Sequence, residues 1–195
     1  MLLLGGLVIG LAIGIATGGK LGHLSNLRFR WPYFVLGVLL VKEVVLLTPL
    51  NRVDGVQYVY VASLAALVGW TIWNVDLLRG VWLVSAGAAL NLVVVLANTG
   101  RMPVARELAA RGSHLLIDRG FVGQYVLMGP HTNLNWLADW LALPGPLAAV
   151  PEAYSPGDFV VALGIAVVAF LATRRRAQPN SVLGETSARI VSDPP

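Results

Sequence analysis

"VWLVSAGAALNLVVVLANTGRMPV", residues 81–104, decides how the rest of the chain is read. No charged residue falls between Val81 and Ala97, and then Asn98, Gly100, Arg101 and Pro103 arrive almost together. A helix that is apolar on every side belongs in a large core or in a membrane. The polar cluster after it is turn chemistry. Asn98 can bond the backbone locally, Gly100 permits a positive φ, and Pro103 suits the first position of a following helix. The stretch reads as a membrane span that ends sharply at a surface, with a short helix over Ala105 to Ala110 that Gly112 stops. Turn geometry explains three of the four residues and leaves Arg101 over.

Composition extends this reading to the whole chain. The sequence is 56% hydrophobic and 12% charged, where a soluble domain carries about a quarter charged residues. The apolar residues fall into five blocks, Leu2 to Thr17, Tyr33 to Thr48, Val56 to Val75, Val81 to Ala97 and Phe159 to Thr173. Their lengths approach the roughly 20 residues that cross a hydrocarbon core, and the first and last imply thin or tilted spans. The expected fold is an all-α integral membrane protein of about five transmembrane helices. Residues 1–173 form the bundle, with a long, partly helical outer loop at 99–157. Residues 174–195 form a cytoplasmic basic stop and a disordered tail.

The start, "MLLLGGLVIGLAIGIATGGK", lacks the basic segment of a signal peptide, so it reads as a retained helix. Gly6, Gly10, Gly14 and Gly18 recur every fourth residue, the pattern of a glycine zipper that lets a neighbouring helix approach closely. Gly5 and Gly87 fall off that register. The spacing leaves open whether the partner helix is internal or belongs to a second copy.

Charge in the short connections sets an orientation. Lys20, Arg28 and Arg30 follow the first span, Arg79 follows the third, and Arg174, Arg175 and Arg176 end the last. These ends are expected in the cytoplasm of a bacterial inner membrane, with the N-terminus outside. Trp31, Trp70, Trp73 and Trp82 fall near the inner interface, and Tyr58 and Tyr60 near the outer one. The basic balance flanks spans, which fits anionic lipid and gives no footprint for nucleic acid.

Within the second span, "VLLVKEVVLL" sets Lys42 beside Glu43. Neighbouring residues point in different directions on a helix, so each meets a different group, with Asn91 of the fourth span a candidate partner. An ion, proton or polar-ligand site is one reading of intramembrane charge; a structural pair that snorkels to water is the other.

The outer loop carries further candidates. His114 and Asp118 are four apart and share a face if helical. "LNWLADWLAL", residues 134–143, reads as an amphipathic helix at the outer interface, with Trp136 and Trp140 as anchors. In "SPGD", Ser155 is an N-cap, Pro156 the first helical residue and Asp158 a dipole-complementing acid. Arg101 then has Asp139 and Asp158 as candidate partners. It either latches the loop to the bundle or receives an anionic headgroup or solute, since its planar fork suits carboxylate and phosphate alike.

The combination of "ANTGRMPV" after a span, the acid in "LADW" and "SPGD" at the head of the last span resembles a family of uncharacterised bacterial multi-pass membrane proteins. That family is a domain of unknown function whose hallmark is N-G-G-R-M-P-V. Thr99 stands where the family usually has a second Gly, and Ala138 where a Gly precedes the acid. The resemblance implies architecture and motif position and carries no reaction.

No cysteine is present, which excludes disulfides, thiolate metal sites and iron–sulfur clusters. His23, His114 and His131 fall between the spans, so a haem held by two histidines within the bilayer is not expected. No phosphate loop, histidine-rich metal motif or nucleophile elbow occurs, and no cofactor or metal is expected. Three function classes remain. The leading one is a non-enzymatic structural or accessory membrane component that binds a partner protein, a second copy or lipid. The others are a small ion-coupled transporter using Lys42 and Glu43, and an interfacial lipid-acting enzyme using Arg101 and the loop acids.

Overall fold

The computed structural model describes residues 1–112, 121–143 and 152–174. It is mostly helical, and five of its helices fall on the five apolar blocks: α1 (Leu2–Ala16), α2 (Pro32–Leu47), α3 (Gln57–Trp73), α4 (Val81–Ala97) and α6 (Pro156–Arg174), with the short α5 (Arg106–Gly112) between the last two. By length and composition, α6 is the one described helix long and apolar enough to cross a membrane; α1 and α4 are apolar and shorter.

The centre of the bundle is α6, packed on one side by α1 and on the other by α4, while α3 lies on α4 and α2 lies outermost on α3. Small residues permit this. A Cβ on Gly6 would run into the backbone of Ala162, one on Gly10 into Ala166, and one on Gly14 into the Thr173 side chain. The residue numbers rise together on both helices, so α1 and α6 run parallel. Gly18 is different: it follows the helix at φ +90° with nothing near it, so it serves the turn. Gly87, off the register of four, is tightly packed. Its Cβ would lie 2.5 Å from Gly157 O and 2.7 Å from Val161 N.

The outer segment corrects the all-α expectation. It contains a three-stranded sheet in the order β1 (Met102–Val104), β3 (Tyr125–Leu127), β2 (Phe121–Val122), and a hairpin-like pair of β4 (Leu141–Ala142) and β5 (Ala153–Tyr154). Pro103 therefore sits in a strand, and the helix begins at Arg106, three residues later than expected from its N1 preference. The sheet accepts this proline for a geometric reason. Met102 N–H donates to Gln124 O at 2.6 Å and Val104 O accepts from Met128 N–H at 2.9 Å, so the alternation turns Pro103 away from β3. Its missing N–H falls on the opposite edge, where no β3 partner is lost.

That edge is closed by Asp139, whose N–H donates to Pro103 O at 3.0 Å and whose C=O accepts from Ala105 N–H at 2.9 Å. Closing it rules out the helix expected over 134–143. The chain makes a single 3-10 turn, Asn135–Leu137, entered at Leu134 with φ +55°, and extends from Ala138. Ala138 and Met102 are buried with Val94 and Val95 of α4, and Leu134 and Leu137 pack against them. Trp136 and Trp140 remain exposed.

His114 and Asp118, together with the tail after Arg174, lie outside the described residues.

Candidate functional site

Polar side chains concentrate where the outer segment meets the ends of α3, α4 and α6. The first group is built on the end of α4. Asn98 caps the helix, Thr99 follows at φ +55°, and Gly100 at φ +89° returns its N–H to Val95 O at 2.9 Å. This is the long closing bond of a Schellman end, with Thr99 in the left-handed position that Gly ordinarily fills. The turn thus keeps its geometry despite the Thr, held by the bonds that surround it. Asn98 Nδ2 donates to Val94 O at 2.8 Å and to Asn133 O at 2.9 Å, and its Oδ1 accepts from Asn133 N–H at 2.7 Å. Asn133 Nδ2 donates back to Ala97 O at 3.1 Å. One buried Asn side chain pairs with the backbone of a segment thirty-five positions on, as a strand partner would. Asn133 had no signal in the sequence, because "HTNLN" resembles any polar loop.

The second group joins α4 to the head of α6. Ser155 Oγ accepts from Asp158 N–H and Asp158 Oδ2 accepts from Ser155 N–H, both at 3.0 Å, the reciprocal pair of a capping box. Asn91 locks onto it: its Nδ2 donates to Asp158 Oδ1 at 2.8 Å, and Ser155 Oγ donates to its Oδ1 at 2.8 Å. Gly157 makes room, since a Cβ there would collide with the Asn91 amide. Asn91, a candidate partner for Lys42 or Glu43 in the sequence, thus serves the "SPGD" cap.

The third group is less complete. Arg101 Nη2 donates to Gln57 Oε1 at 3.2 Å, tying the motif to the first turn of α3. Asp158 has both oxygens engaged by the cap and Asn91. Asp139, 6% exposed, has no hydrogen-bond partner at Oδ1, and Tyr60 Oη and Asn51 Oδ1 are likewise buried without one. Asn51 and Tyr60 meet around Gly123 of the β2–β3 turn. Burial holds the Asp139 carboxyl well above the usual carboxylate range; the Asp158 charge adds to the rise and the Lys42 ammonium opposes it. Burial, and then the Asp139 charge, also raises the Tyr125 phenol. Lys42 is half-buried and Glu43 exposed. Their charges reach this junction, Lys42 at Asp139 and Glu43 at Tyr60.

Most polar atoms of the motif are therefore spent inside the chain. Asn98 clasps the outer segment to the end of α4, Asn91, Ser155 and Asp158 join α4 to the head of α6, and Gly100 and Pro103 shape the turn and strand between them. A family model described as a family of unknown function, DUF5317, matches residues 26–170. The chain belongs to that family. Comparison with curated proteins and with solved structures finds no match. The part shared with DUF5317 spans α2 to most of α6 and contains all three polar groups, whereas α1 precedes it. Membership of DUF5317 agrees with the expected uncharacterised family and supplies no activity.

Proposed function

We propose that this DUF5317 protein is a multi-pass membrane protein of the structural or accessory class, in which α1, α2, α3, α4 and α6 cross the bilayer and the outer segment is a fixed cap. Helices of 15 to 19 residues are about 22 to 29 Å long, enough for a thin bilayer or one that adapts locally. Large apolar side chains on α2, such as Leu36, Leu40 and Leu47, are exposed, as a lipid-facing surface requires. Trp136 and Trp140 on the cap would rest at the outer interface, and Arg101 acts as a latch through Gln57.

The observation that carries the reading is the closed Asn91–Ser155–Asp158 cycle together with the Asn98–Asn133 clasp. These motif residues satisfy one another, which is the signature of a scaffold. A second reading rests on one feature, the unpartnered Asp139 Oδ1 within reach of the Lys42 charge. It makes Asp139 a proton or ion site of a small transporter.

Reconstituted protein separates the two. The scaffold reading expects vesicles carrying the full chain to hold an imposed proton gradient as well as empty ones. It expects Arg101→Ala to lower stability by about 1 to 3 kcal/mol, because Gln57 loses a buried donor. Asp139→Asn should be tolerated. Because the folded state holds the Asp139 proton more tightly than the unfolded chain, stability falls as pH rises above the ordinary carboxylate range, and Asn should flatten that slope. Proton leak that Asp139→Asn abolishes would hand the molecule to the transport reading.

A further inference from the structure

The end of the bundle opposite the cap collects charge of one sign. The described residues there include Lys20, Arg28, Arg30, Arg79 and Arg174, all exposed, against the single carboxylate of Asp76. Contacts bring the segments that carry them together. Lys20 N–H donates to Thr173 O at 2.9 Å, which joins the end of α1 to the end of α6. Arg30 N–H donates to Asn74 Oδ1 at 2.7 Å, which joins the start of α2 to the end of α3. Gly80, before α4, lies against Val167 and Val168 of α6.

Two of the guanidinium groups are held in place. Arg30 Nη1 donates to Trp73 O at 2.6 Å, at the last residue of α3, and Trp70 Nε1 donates to Arg30 O at 2.7 Å. Arg174 Nη2 donates to Thr17 O at 3.1 Å, just past α1, and its guanidinium lies 4.6 Å from the Phe170 ring centre. Each group uses a carbonyl at a helix C-terminus, where a cation is favoured, and keeps the rest of its fork at the surface. Trp31, Trp73 and Trp82 are exposed beside them, the amphipathic rings that mark a headgroup region.

We propose that this rim binds the phosphates of anionic phospholipid headgroups. The proposal rests on the multi-pass membrane reading, and it names the lipid class and the end of the molecule that receives it. Fixed arginines spare the entropy of ordering long side chains, so they position a phosphate, while exposed Lys20, Arg28 and Arg79 add attraction that salt screens. Four of the six Trp rings, Trp31, Trp70, Trp73 and Trp82, place most of the reporter at the same end, and Trp136 and Trp140 lie at the cap.

Detergent-solubilised full chain is titrated with short-chain phosphatidylglycerol, short-chain phosphatidylcholine and inorganic phosphate, followed by Trp fluorescence. The glycerol lipid should bind tighter than the choline lipid by about tenfold or more, with the preference lost in high salt. Lys20→Gln/Arg28→Gln/Arg79→Gln, which leaves the two anchored arginines in place, should remove most of the preference. Arg52→Gln/Arg106→Gln, at the cap end, should keep it. Equal binding of the two lipids, or equal loss in both variants, overturns the proposal. If phosphate alone competes as well as the lipid, the rim is a site for free anion and the lipid assignment is wrong. Washing native membranes with alkaline carbonate tests the reading beneath it: release of the chain would sink the multi-pass assignment and leave the rim to be judged by the titration.

Discussion

At the scale of single residues, Thr99 shows most plainly how the fold overrides local preference. A β-branched residue at φ +55° costs roughly 1 to 2 kcal/mol relative to a right-handed conformation. The Asn98 side-chain bonds and the Gly100 return bond fix the turn regardless. Thr99→Gly should therefore raise stability by up to about 1 kcal/mol, the relief of strain less the entropy a glycine adds to the unfolded chain. Thermal unfolding in detergent measures it. A lower midpoint would mean that the Thr99 hydroxyl, which donates to Asn98 O at 2.8 Å, contributes more than its backbone costs. The "NTG" turn itself was legible, because Asn and Gly have few other uses at the end of an apolar run. What Asn98 clasps was not: its partner lies thirty-five positions away, and no local pattern encodes that distance.

At the scale of elements, the five apolar blocks became five helices with boundaries within a few residues of those expected. Hydrophobic runs of that length leave the backbone no better way to bond itself. The outer segment was misread for the opposite reason. Met102–Val104 forms a strand, and Asp139 an isolated bridge to it, through partners supplied by other parts of the chain, and Pro103 and the Trp-rich run suited helices only in isolation. Gly6, Gly10 and Gly14 of α1 lie against α6, and the glycine spacing gave no sign of Gly87 on α4 or of Gly157 and Gly164 on α6, which make the α4–α6 contact. Irregular spacing hides such a contact. Gly10→Leu and Gly157→Ala should each lower the thermal midpoint, by about 1 to 3 kcal/mol of overpacking or more, since the atoms they meet include main chain or a bonded amide. Gly5→Leu and Gly37→Leu, where nothing lies within 4 Å, should leave it unchanged or slightly higher, as Gly is a poor helix former. Equal losses at all four positions would show that helix contact is not what these glycines provide.

At the scale of the whole molecule, the cap and the basic rim sit at opposite ends of the bundle, and the two ends differ in the chemistry they present. The rim carries five described cations and one acid, and the proposed multi-pass reading together with the charge rule for short connections predicts that this end faces the cytoplasm. On the described cap Asp139 is buried and Arg101 is tied to Gln57, while exposed Arg106 is balanced by exposed Glu107. Because the chain has no cysteine, one introduced thiol reports its own location without background. Ser25 lies exposed near the rim and His131 exposed on the cap. In intact cells, an impermeant thiol reagent should label His131→Cys and leave Ser25→Cys untouched until the membrane is opened. The reverse pattern would invert the orientation while keeping the spans, and with it would move the phosphate-binding rim to the outer leaflet. Labelling of both in intact cells would put the two ends in one aqueous phase. The five helices could not then form a bundle that separates them, and the molecule would have to lie on the membrane instead of across it.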